Sequence, residues 1–263
     1  MRVGVVTGTA TYSLPGLGQG VSEPVETPFG TVDVTVGELA GVEILHVARH
    51  GRGHERLSSQ VDHRANVLGL KQLGADAVIA TTVCGGLDAS QPLGELIVFD
   101  DLFFLANRLG DGELCSLFAE PGQPGRGHWL FDGPFSQPLR EALLTGARTA
   151  GQPARDGGCY GHVDGPRFNT KAEIAHLRAL GVAAVSQTAG PETVLCGEAE
   201  LPYALVGFVT DYANGVAEEP TSAAELERLL GESRSVLAAV VGAALPDVAA
   251  ADVHSTGFVY RLG

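Results

Sequence analysis

The 263-residue sequence predicts an α/β fold, a single domain around a central mixed, largely parallel β-sheet flanked by helices. Three observations carry that expectation. Short runs rich in Val, Ile and Ala recur along the chain, and their β-branched content marks buried strands. Segments with apolar residues at helical spacing lie between several of these runs, some opened by capping signals. No repeat and no linker divides the chain, so one domain over residues 1–263 is expected.

In chain order, residues 3–6 and 42–48 read as strands. Val61, Ala65, Leu68 and Leu73 then share one helical face ahead of a strand at 77–83. Residues 96–100 read as a further strand. The stretch 108–135, rich in Gly and Pro, reads as a long loop, and loops of that length are usually functional or disordered. Ser136 is placed to cap a helix whose stripe is Leu139, Leu143, Leu144 and Ala147. Thr170-x-x-Glu173 is a capping box followed by Ile174, Leu177 and Leu180. Strands at 182–188 and 203–210 follow. Ser222-x-x-Glu225 then opens the last helix, with Leu226, Leu229, Leu230, Leu237 and Val240 as its buried side.

Composition narrows the function. Hydrophobic residues make up 44% and charged residues 18%, enough apolar material for a full core. The formal net charge of −14 argues against nucleic acid and anionic membranes as partners, yet leaves room for a small anion held by a few local cations. Cys84, Cys115, Cys159 and Cys196 are too far apart for a zinc or redox pair and read as buried thiols in a reducing cytoplasm. The N-terminal stretch runs straight into a strand rather than a signal peptide, and no 18-residue uncharged apolar run marks a membrane span.

Several strand ends carry chemistry. Thr7-Gly8-Thr9-Ala10 follows the first strand and can aim amides and hydroxyls at an anion, or serve as a plain turn. Arg49, His50, Arg52 and His54 lie within six residues at another strand end. Arg offers a planar fork for phosphate and His a switchable donor; the same cluster also reads as a solvated basic loop. The two histidines lack a placed carboxylate or thiolate partner, so no metal is expected. Thr81-Thr82-Val83-Cys84-Gly85-Gly86, Gln187-Thr188 and Thr210-Asp211 end further strands, and Asp211 stands where a proton-transfer carboxyl commonly sits. Phe168 can stack on a flat ring, and Asn169 can bond its edge or cap the next helix. In α/β sheets ligands bind beyond the carboxyl ends of strands, so these groups are expected to face one pocket.

These strings, with Glu26-Thr27-Pro28-Phe29-Gly30, Gly165-Pro166-Arg167-Phe168 and Pro191-Glu192, keep their order from residue 3 to about 245, and the chain resembles the 5′-methylthioadenosine phosphorylases, the trimeric branch of the purine nucleoside phosphorylases. The resemblance implies a homotrimer of α/β subunits and a pentosyl transfer in which inorganic phosphate attacks the ribose anomeric carbon and a purine leaves. It implies phosphate binding by Thr9, Arg49, His50, Thr82, the Val83 backbone and Thr188, with Asp211 and His50 as catalytic groups. Phe168, Asn169, Asp211 and the neighbouring Gln187 and Ala213 would line the nucleoside. His128 would reach its 5′ end from an adjacent subunit. Phosphate is the co-substrate, and no metal or organic cofactor is implied.

The chain departs from that pattern at three places. Adenine-specific members carry Thr-Asp-Tyr-Asp where this chain has Thr210-Asp211-Tyr212-Ala213, which removes a carboxylate acceptor for an exocyclic amino group and leaves Asn214 beside it. Gln187 stands where a Met usually packs under the ribose, and its amide can bond a sugar hydroxyl or an unusual 5′ group. Residues 111–127 and the tail 252–263 fit poorly, and the tail reads as a flexible end or a subunit contact. Substrates in view are 5′-methylthioadenosine and other 5′-deoxy-5′-substituted nucleosides, or the 6-oxopurine nucleosides methylthioinosine, inosine and guanosine. A nucleoside-binding protein without turnover and a hydrolytic nucleosidase are the readings from other classes.

Overall fold

The computed structural model describes residues 1–17 and 20–262, with the side chain of Arg52, a member of the basic cluster, outside the described residues. An eleven-stranded mixed sheet forms the centre, and a separate two-stranded ribbon lies beside it. β1 (Arg2–Thr7) pairs in parallel with β4 (Val42–Ala48) on one side and β5 (Ala77–Gly86) on the other. β12 (Tyr203–Tyr212) runs parallel to β5 along its opposite edge. Strand alternation sorts the core into two faces. Val3 and Val5 of β1 pack with α2 (Gln137–Thr149) and α5 (Ala223–Ala250), while Val6 joins α1 (His63–Gln72) and α4 (Ala189–Glu198).

The expected strands and capped helices form. Thr170 and Glu173 make the reciprocal capping box of α3 (Lys171–Ala179), and Ser222 accepts from the Glu225 amide at the start of α5. Ser136 occupies the cap position of α2, but its hydroxyl makes no capping bond. Leu226 and Leu230 are only half-buried, because they wall a cavity rather than the core. α5 is long and apolar enough to cross a membrane by length and composition; its apolar face instead packs on α2 and the sheet.

Other elements were not expected. β2 (Val21–Thr27) and β3 (Gly30–Leu39) form an antiparallel hairpin at the sheet edge. β2 is mostly exposed and contains Pro24, so it lacks the apolar signature of a buried strand. The 108–135 stretch is not loop throughout: β8 (Gly127–Phe131) lies within it, and Cys115 and Leu117 are buried. Within the 252–263 tail, β13 (Gly257–Arg261) pairs antiparallel with β8, tied down by Arg261 on Glu200.

Candidate active site

The site is a fork in the sheet. β1 pairs with β5 only at residues 77–80, and β11 (Val182–Ser186) meets the same edge of β5 only at Gly85 and Gly86. Thr81 to Cys84 therefore have a strand partner on one edge alone among the described residues, and Thr82 to Cys84 line a cavity of about 300 Å³. Ladder-free backbone groups at such a gap need other partners, and a ligand can supply them. A register shift in β12 between Val209 and Asp211 leaves Thr210 unpaired in the ladder and turns Asp211 into the same space.

Thr9, Arg49, His50, Thr82, Val83, Thr188, Phe168, Asn169, Gln187, Asp211 and Ala213 all line this one cavity. His128 does not. It lies on β8 in a second hollow with Asn107, Trp129 and Glu198, so within one chain it is remote from the other candidates.

Arg49 is the largest fully buried side chain, at 1% exposure. Its Nε and Nη2 donate to the two carboxylate oxygens of Glu192, the latter at 2.7 Å, and Nη1 donates to the Thr81 carbonyl at 3.1 Å. Three of the five guanidinium donors are thus spent, which leaves two for an anion in the cavity. Gly8 makes room for this group: a Cβ there would come within 2.5 Å of Nη1. Burial pushes the Glu192 carboxyl upward, but the Arg49 charge and hydrogen bonds outweigh it, with help from His63, and hold it at about 2. Tyr203 Oη also donates to Glu192 Oε2, at 3.1 Å. Burial pulls Arg49 downward; the Glu192 charge and bonds more than reverse this.

His50 is lowered to about 4 by burial and then by Arg49, so it is neutral near neutrality. Its Nδ1 lies 2.9 Å from the Arg56 carbonyl, which can only accept. The ring proton therefore sits on Nδ1 and Nε2 carries a lone pair. The expectation of a switchable donor is corrected accordingly: Nε2 is an acceptor. His54 stacks on His50 with ring centroids 4.2 Å apart. Thr188 caps α4 without spending its hydroxyl on a capping bond, and the helix N-terminus adds partial positive charge beside Arg49.

At the opposite end, Asp211 Oδ1 accepts from Thr210 Oγ1 at 2.8 Å. Burial raises its carboxyl above the usual range, against that single bond. Phe168 is 71% exposed on the lip, free to cover a flat ring. Asn169 donates to Glu173 at 3.2 Å, and its carbonyl accepts from Asn214 at 2.7 Å. Leu226, Leu230, Ile174 and Val163 supply an apolar wall.

Residues 2–246 match the model of the phosphorylase superfamily. The chain belongs to that superfamily. This phosphorylase is 33% identical over 249 residues to the 6-oxopurine nucleoside phosphorylase of Pyrococcus furiosus, covering 93% of this chain and 92% of the relative. It is 34% identical over 245 residues to a probable S-methyl-5′-thioinosine phosphorylase of Pseudomonas syringae pv. tomato, covering 91% and 98%. Its fold superimposes on the methylthioadenosine phosphorylase from Schistosoma mansoni in complex with adenine with a TM-score of 0.86, at 27% identity over 96% of this chain and 93% of that one.

Sequence reasoning missed the part played by Glu192 as the buried partner of Arg49. The signal was available: a lone carboxylate in the apolar stretch 189–197 implies a buried charge that needs a partner. Leu226 and Leu230 were assigned to the core because helical periodicity does not separate a core face from a cavity wall.

Proposed function

We propose that the chain catalyses phosphorolysis of a purine nucleoside, giving the free purine and a ribose 1-phosphate derivative. One observation carries this reading: the Arg49 guanidinium and the Asp211 carboxyl, contributed by strands far apart in sequence, line a single cavity. Phosphate held by Arg49, the α4 N-terminus and the hydroxyls of Thr9, Thr82 and Thr188 lies where its oxygen can attack the anomeric carbon. The C1′–N9 bond breaks, its electron pair passes to the purine, and protonated Asp211 donates to the imidazole-ring nitrogen. Negative phosphate beneath an oxocarbenium-like sugar stabilises its developing charge. His50 Nε2 accepts the proton of a bound hydrogen phosphate. Phosphate is the co-substrate, and the scheme calls for no metal and no organic cofactor.

An apolar 5′ substituent fits best. A 5′-hydroxyl set against Leu226 and Leu230 would lose its water without gaining a partner, whereas a thioether loses little. 5′-Methylthio nucleosides are therefore favoured over inosine and guanosine. A 6-oxopurine base is the second reading, favoured by Ala213: no second carboxylate is present there to accept from a 6-amino group, while the Asn214 amide lines the cavity. In a homotrimer His128 of a neighbouring subunit would close the 5′ end, and the reaction would serve purine salvage in the cytoplasm.

Purified protein is expected to release purine from 5′-methylthioadenosine or 5′-methylthioinosine only when phosphate is supplied. Release at equal rate without phosphate would reassign the chain to hydrolysis, and binding without release would make it a nucleoside-binding protein.

A further inference from the structure

Gln187 lines the cavity, where its amide could bond a sugar hydroxyl. The geometry commits one amide N–H and one oxygen lone pair elsewhere. Gln187 Nε2 donates to the Arg167 carbonyl at 3.0 Å, and Gln187 Oε1 accepts from Ser58 Oγ at 2.7 Å. The amide orientation is fixed, since a carbonyl can only accept. Both ends of the side chain are thus engaged by protein, one by the loop that carries Phe168 and the other by the turn after the basic cluster.

Two further observations belong to the same structure. A Cβ on Gly165 would fall 2.0 Å from Gln187 Oε1 and 2.2 Å from Ser58 Oγ, so the loop backbone rests directly on this pair. Beyond Arg167 the chain of contacts continues. Its guanidinium forms two bonds to Glu173, Asn169 donates to the same carboxylate, and Asn214 donates to the Asn169 carbonyl. Ser58, Gln187, Arg167, Glu173, Asn169 and Asn214 form a continuous polar chain, of which Ser58, Gln187, Asn169 and Asn214 line the cavity.

From this we infer that Gln187 is a positioning residue that straps the Phe168 loop at the cavity mouth through the Arg167 carbonyl, and that its one remaining amide N–H and one remaining lone pair take no sugar hydroxyl. The strap fixes the stacking ring before the nucleoside arrives, so less ordering is left for the binding step. A methionine at this position would have no donor for the Arg167 carbonyl.

The test reads the loop without substrate. Arg167 is exposed, so trypsin cuts after it whenever the loop opens, and the fragment ending there is scored by mass spectrometry. Q187M is expected to speed that cut about fivefold, the effect of one lost hydrogen bond. G165A, which displaces the strap without altering Gln187, is expected to do the same and keeps the test valid where Q187M fails to fold. The inference for catalysis rests on the proposed nucleoside activity: Q187M should raise KM for nucleoside more than it changes kcat, with the ratio of kcat/KM for ribo- over 2′-deoxyribonucleoside unchanged. Unchanged cleavage at Arg167 in both folded variants overturns the strap whatever the substrate proves to be. A collapse of the ribo to deoxyribo ratio in Q187M also overturns it, by making the amide a sugar ligand.

Discussion

Replacing Arg49 with alanine is expected to lower kcat/KM for phosphate by about 10²–10³-fold, the range for loss of a preorganised donor to an oxyanion. Stability should fall with it, by about 3–5 kcal/mol, because Glu192 is left 1% exposed with its charge unpaired. Denaturant titration and phosphate saturation curves read the two effects separately. A second substitution, Glu192→Gln, should return much of the stability to the Arg49→Ala variant and none of the phosphate use. The acid behaviour follows from the same pair. Glu192 is held at about 2, below its ordinary 4.5, so the pair contributes stability above pH 4.5 that is lost as pH falls toward 2. Arg49→Ala should flatten that acid limb. A variant as stable as the wild type would show that the pair contributes nothing net.

Asp211→Asn is expected to reduce the rate with adenine nucleosides by about 10²–10⁴-fold, the usual contribution of a positioned general acid. Geometry should survive, since Asn can still accept from Thr210 Oγ1 and Ala213 remains unaltered. The pH profile is the sharper reading. Burial raises Asp211, so the folded protein favours the protonated, active form, and kcat/KM should fall as pH rises through the raised value. The asparagine variant should lack that alkaline limb. Stability runs with the same sign: the contribution of the protonated carboxyl is full below its ordinary 3.8 and is lost as pH rises through the folded value. An alkaline limb that persists unchanged in Asp211→Asn would take the proton-donor role away from this residue.

The sheet core and the convergence of its strand ends could be read in advance, because buried strands advertise themselves through β-branched runs and the residues beyond them through Gly, Thr and charge. The edge hairpin and the β8–β13 ribbon could not. Val21–Thr27 alternates no apolar face, and Phe258 and Tyr260 remain about half exposed, so neither carries a burial signal. α4 was hidden by Gly190, Pro191 and Gly197, poor formers that tertiary packing overrides. At the site, residue types pointed to roles but not to partners. The Arg49–Glu192 bond spans 143 positions, and the two ends of the Gln187 amide meet residues 129 and 20 positions away. Such pairings arise only when the chain has closed on itself.

Because the floor of the cleft is main chain, set by where β1 leaves β5 and β11 joins it, side chains around it can be replaced without moving that floor. The natural route to a new substrate is thus through positions 213, 214, 226 and 230, which line the same cavity.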